Sequence, residues 1–204
     1  MKTRPQLPLQ LLCAVLATSA PLAHADSPWE HVKRRGDVTY EKRNVAGSKF
    51  REYRASVDVA ADEATVLSAI WDSVVMTPTP TVTERTVLRR SADQLLVHDL
   101  IDGSIASDRE ATTLIEKGLH EVRIELRNDL GPAPDRKHVL VPMVHGLWTL
   151  TPDGPRTHVT FQCVSDPGGS IPAFLVRGAQ QTQIQRDIER MLQRLASGPA
   201  PTHP

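Results

Sequence analysis

The chain is short of several things, and each shortage closes off a class of function. Its 204 residues carry 24 Lys and Arg against 24 Asp and Glu, so no charge of either sign is in excess. That removes the electrostatic reason to expect a nucleic-acid partner. No apolar run reaches the ~20 residues that a membrane-spanning helix needs. Neither Cys-x-x-Cys nor His-Glu-x-x-His occurs, so no metal and no cofactor is expected. The phosphate-cradling patterns Gly-x-x-x-x-Gly-Lys-Ser/Thr and Gly-x-Gly-x-x-Gly are missing too. Cysteine is nearly absent: only Cys13 and Cys163 occur.

What is present begins with an N-terminal leader. Met1-Lys2-Thr3-Arg4 is a short basic stretch, Leu9 to Ala17 is an apolar core broken only by Gln10, and Ala23-His24-Ala25 is a small-x-small cleavage site. Residues 1–25 therefore read as a cleavable signal peptide, cut after Ala25, and the protein is expected to be periplasmic or secreted. Cys13 follows Leu12, not the small residue of a lipoprotein site. Cleavage removes Lys2 and Arg4, leaving 22 basic and 24 acidic side chains. It also leaves Cys163 alone, so no intramolecular disulfide can form. The alternating neighbours of Cys163 suggest a buried strand residue. Residues 26–196 suit one domain with a sizeable core. Residues 197–204, rich in Pro, have no periodicity and read as a disordered tail.

The periodicity gives an order of elements. Ser27-Pro28-Trp29-Glu30 has the form of a capping box opening a short helix, ended by Gly36-Asp37. Val38 to Arg43 alternates as a strand, and Phe50 to Val59 as a longer one with an offset near Glu52 that suggests a bulge. Asp62 caps a helix with apolar residues at Val66, Leu67, Ile70, Trp71 and Val74. Period-two alternation follows over 82–90, 94–101, 109–117, 121–128, 139–151 and 156–165. Ser170 to Ala196 is a long helix with an apolar stripe through Leu175, Ala179, Ile184, Ile188, Met191, Leu192 and Leu195. Strands joined by short turns make an antiparallel meander. A curved meander with one long helix must bury the helix stripe on its concave face, which is an α+β grip with room for a hydrophobic cavity.

Candidate chemistry is sparse. Gly168-Gly169-Ser170-Ile171-Pro172 falls short of a serine elbow, because Pro172 stands where the crowded turn needs a small residue. The simpler reading makes Ser170 a helix cap and the glycines a sharp reversal of the chain. His120, His138, His145 and His158 have no spacing that ties them to Ser170 or to a metal, and read as surface or capping residues. Asp99 shares a face with Val97 and Ile101, and Arg109 with Ala111, Thr113 and Ile115. Two readings stay open for both: polar groups inside an apolar chamber, which must be paired or used, or solvated strand ends.

Several of these runs, in order, resemble the START (steroidogenic acute regulatory protein-related lipid-transfer) domain in its secreted bacterial form, within the wider helix-grip superfamily. They are Trp29 with Gly36-Asp37-Val38-Thr39-Tyr40, Val45-Ala46-Gly47-Ser48, Glu52-Tyr53-Arg54-Ala55, Trp71-Asp72, Ser107-Asp108-Arg109-Glu110 and Asp166-Pro167-Gly168-Gly169-Ser170-Ile171-Pro172. The likeness spans roughly Trp29 to Leu195, and the last run is its most specific part. It implies a curved antiparallel sheet wrapped around the C-terminal helix and a tunnel beneath that helix for one lipid or other hydrophobic small molecule. The expected wall and lid residues are Val122, Ile124, Leu126, Trp148, Phe161, Phe174 and Leu175, with Arg109 as the polar contact. Where sterol-binding members often carry a cavity arginine, six residues beyond Arg109, this chain has Ile115. A monomeric, non-enzymatic binder or carrier that touches membranes transiently is expected. The alternative is a cyclase- or hydrolase-like enzyme using a buried acid such as Asp99.

Overall fold

The computed structural model describes residues 27–76, 78–103 and 107–198. The expected signal peptide with its cleavage site and residues 199–204 of the expected tail lie outside these residues, whereas Ser197 belongs to the last helix. Among the described residues, ten strands and two α-helices run in the order β1 (Glu30–Arg35), β2 (Val38–Asn44), β3 (Arg51–Val59), α1 (Glu63–Met76), β4 (Val82–Arg90), β5 (Gln94–Ile101), β6 (Arg109–Lys117), β7 (Glu121–Leu126), β8 (Val139–Leu140), β9 (Met143–Asp153), β10 (Arg156–Asp166) and α2 (Ala173–Ser197). One sheet holds all the strands in the order β1-β2-β3-β10-β9-β7-β6-β5-β4, and β8 pairs beside β6. Every pairing is antiparallel except β6 with β8. The curved sheet and the long C-terminal helix form the expected helix-grip fold.

The first element differs from the capping-box expectation: residues 30–35 form a strand, not a helix. A two-residue turn at Gly36-Asp37, with Gly36 at φ 58°, brings Arg35 opposite Val38 and zips the hairpin. Ser27 is held across the sheet instead of at a helix start, since the Asn44 amide donates to its hydroxyl at 2.8 Å. A local helix signal loses here to the pairing available from β2. The suspected bulge in β3 is also absent, because Arg51 to Ser56 pair with β2 in unbroken register. The offset is a change of face. Tyr53, Ala55, Val57 and Val59 join the core, whereas Glu52 lies buried on the other face against Arg43.

Asp62 caps α1 as expected, accepting from the Thr65 amide at 2.9 Å. That amide hydrogen bond holds the Asp62 carboxyl below its usual range. α2 spans 25 residues, about 37 Å at 1.5 Å each. Its buried stripe runs through Val176, Gln180, Ile184, Ile188 and Met191, so the first two turns are rotated from the expected Leu175–Ala179 line. Gln180 accounts for the rotation: its amide donates to the Ser165 carbonyl at 2.7 Å and fixes which face meets β10. Ile184, Ile188 and Met191 then close a core with Tyr53, Ala55, Val57 and Val159 of the sheet.

Candidate functional site

The chain enters α2 through Asp166-Pro167-Gly168-Gly169. Both glycines are in the left-handed region, at φ 72° and 68°. A Cβ on Gly168 would stand 3.0 Å from Pro142 Cδ and 3.1 Å from Val139 Cγ1, so this position needs glycine for both backbone and space. Ser170 caps nothing. The N-cap is Pro172, and no side chain bonds to the first-turn amides. The glycines complete the reversal too early for Ser170 to reach the helix start. Arg109 is buried here, donating through Nε to the Pro167 carbonyl at 3.4 Å and through Nη1 to the Ser107 carbonyl. It ties the start of β6 to the hinge of α2.

Beneath α2, between the end of α1 and the inner faces of β4 to β7, β9 and β10, lies a chamber of about 320 Å³. Val97, Ala111, Ile115, Ile124, Trp148 and Phe161 make its apolar wall. The Trp148 and Phe161 rings stack with centroids 4.2 Å apart and planes within 10°. The floor also carries charge. Arg85 grips Asp99 with two bonds, Nε to Oδ1 and Nη2 to Oδ2, each 2.7 Å. From α2, Asp187 accepts from Arg190 and, at 3.0 Å, from Gln183. Burial pushes the Asp187 carboxyl above its usual range, against the opposing pull of Arg190.

The inward reading of Asp99 is the correct one. Of the expected contacts, Ile124, Trp148 and Phe161 stand on the wall. Val122 is fully buried in the core but is not part of the lining, and neither is Leu126, which pairs with Thr113 at the end of β7. Phe174 and Leu175 face outward, 69% and 40% exposed. Arg109 serves the hinge and not the chamber. The chamber takes an arginine from β4 instead, Arg85. Sequence counting missed it because a register shift between Val82 and Glu84 puts Val82 and Arg85 on the same face, where strict alternation separates them. Gln183, Asp187 and Arg190 were missed as well, though their spacing of four and three marks a polar line beside the apolar stripe.

The thiol of Cys163 is pushed up by burial, as befits an inert strand residue. His120, His138 and His158 pair with Glu63, Asp135 and Asp58. Among the described residues, no group of three or more His, Cys, Asp and Glu is placed to hold a metal ion. No described helix is long and apolar enough to cross a membrane.

A curved sheet gripping one long helix over a partly open chamber defines a helix-grip ligand-binding fold. No protein-family model matches the chain. An uncharacterized protein of Pseudomonas aeruginosa is 30% identical over 155 residues, covering 72% of this chain and 76% of that one. The crystal structure of a STAR-related lipid transfer protein from Xanthomonas axonopodis superposes with a TM-score of 0.63 at 27% identity, over 83% of this chain and 97% of that one. Human STARD10 shares the fold at a TM-score of 0.61 and 13% identity, over 82% and 73% of the two chains. The chain belongs to the START domain family.

Proposed function

We propose that the protein binds one lipid or other hydrophobic small molecule in the chamber beneath α2 and carries it unchanged, in the periplasm or outside the cell. The observation that carries this reading is the apolar wall of a partly open chamber roofed by α2. Each methylene buried there is worth about 0.8 kcal/mol relative to water, which offsets the cost of leaving a membrane and lets an apolar chain be carried without covalent chemistry. The likeness to a bacterial STAR-related lipid transfer protein supports it. So does the state of Asp99, whose two oxygens are both taken by Arg85, leaving a locked carboxylate in place of a working acid. At about 320 Å³ the chamber is at the small end of the ~300–1,000 Å³ of drug-sized sites, which favours a compact or single-tailed ligand.

Native mass spectrometry of the purified protein, followed by organic extraction, tests the reading. A bound hydrophobic compound recovered intact is the expected result. Turnover of that compound, lost in Asp99→Asn, would replace the carrier with an enzyme.

A further inference from the structure

Among the described residues, two side chains that line the chamber carry buried N–H donors with no partner. Among the described residues, five buried side-chain polar atoms lack a partner. Only two of these belong to chamber-lining residues, Arg85 Nη1 and Trp148 Nε1, and both are N–H groups. Arg85 spends Nε and Nη2 on Asp99, so its remaining nitrogen is left over by the geometry of the fork. Trp148 is 1% exposed, its ring stacked on Phe161. An indole N–H can only donate, so no rotation of the ring can turn it into an acceptor. A buried donor left unpaired is costly, and both N–H groups belong to residues that line the chamber.

The charges of the chamber constrain what can supply the acceptors. Its charged lining residues are Arg85, Asp99, Asp187 and Arg190, and they stand as two ion pairs, one on the sheet and one on α2. An anionic head would add a buried charge with no counter-ion. A carbonyl oxygen adds two lone pairs and no charge.

Resting on the ligand-binding reading above, we infer that the chamber selects a compact, uncharged, carbonyl-bearing hydrophobic molecule of the ester or ketone class, received by Arg85 Nη1 and Trp148 Nε1. The apolar wall takes the hydrocarbon body, and the two N–H groups take the acceptor oxygens. The polar subsite is thus made by β4 and β9, not by the β6 position that Ile115 occupies.

The test compares methyl decanoate, decanoate and decane by calorimetric titration of the delipidated full chain, in the wild type, Trp148→Phe and Arg85→Lys. Trp148→Phe keeps an aromatic ring and loses the N–H, and Arg85→Lys keeps a cation for Asp99 and loses the fork. Decane reports any loss of packing, so the ester-to-alkane ratio isolates the hydrogen bonds. The ester is expected to bind tightest, and its advantage over decane to fall about three- to tenfold in Trp148→Phe, the worth of one neutral hydrogen bond, and about tenfold or more in Arg85→Lys, where the lost donor is charged. If Arg85→Lys fails to fold, Trp148→Phe decides alone. Tighter binding of decanoate than of the ester overturns the inference, as does an unchanged ester-to-alkane ratio in the folded variants. Equal binding of ester and decane does so too, while the ligand-binding reading survives. If none of the three binds and extraction yields no compound, that reading fails as well.

Discussion

The two flanks of α2 do opposite work. On one flank Ile184, Ile188 and Met191 meet Tyr53, Ala55, Val57 and Val159, and the interior is filled. On the other flank Gln183, Asp187 and Arg190 overlook a chamber whose far wall carries Arg85 and Asp99. The two lines are one residue apart along the helix, about 100° around it. The apolar flank attaches the helix, which frees the other to tolerate charge and open space. Stability and recognition are therefore separable on this helix, and substitutions on the two flanks should have different signatures.

The largest expected effect is on the polar flank. Asp99→Ala leaves the Arg85 guanidinium buried without its partner, side chains that are only 17% and 9% exposed. The loss should be about 3–5 kcal/mol in urea unfolding. The double variant Arg85→Met/Asp99→Leu should recover most of it, because no lone charge remains. A loss below about 1 kcal/mol in the single variant would mean that the pair is solvated like a surface bridge.

The apolar flank comes next. Ile188 is fully buried, and Ile188→Ala should cost about 2–5 kcal/mol by the same measurement. Ile124→Ala should cost less, near the lower bound, since the chamber already leaves part of that side chain without neighbours. Ligand affinity should rank the other way, weakened more by Ile124→Ala. Equal ranking in both assays would dissolve the distinction between filled core and binding wall.

The two flanks also differ in how legible they were. The apolar flank is written in simple periodicity, and Ile184, Ile188 and Met191 are where spacing puts them. Its one error, the rotated first turns, arises because Gln180 bonds to Ser165, a contact no local pattern contains. The hinge run Asp166 to Pro172 was located correctly while its serine was misread. A cap depends on where the first helical residue falls, and two left-handed glycines moved it. On the chamber side, the faces of β5, β7, β9 and β10 follow from alternation, which put Asp99 on one face with Val97 and Ile101 and left open whether that face looks inward. Alternation fails at β4, where one bulge reverses the parity and hides Arg85. The β1 error has a similar root: Ser27 to Glu30 suits a helix locally, and only the partner strand decides otherwise.

The smallest expected effect concerns pH, and it too separates the flanks. The apolar flank carries no carboxyl, whereas the polar flank carries Asp187. Burial raises its carboxyl above the ordinary value near 4, so the native state keeps a proton that the unfolded chain gives up. In that window the native state binds more protons, and stability falls as pH rises from about 4 through the native-state pKa of Asp187. Asp62, Asp129 and Asp135 act in the opposite sense. The Thr65 amide, the Arg127 guanidinium and the Lys137 amide, respectively, hold these carboxyls low, so their contribution is lost as pH falls below about 4. The observed profile is a sum, and the informative quantity is the difference between wild type and Asp187→Asn. That difference should be flat in acid and should grow in favour of the variant as pH rises past about 4, read from urea midpoints across a pH series. Ile188→Val, a change on the filled flank, should displace the whole profile without altering its shape. Parallel wild-type and Asp187→Asn profiles would mean that Asp187 is as well solvated in the folded chain as in the unfolded one, and the chamber floor would then be wet and open.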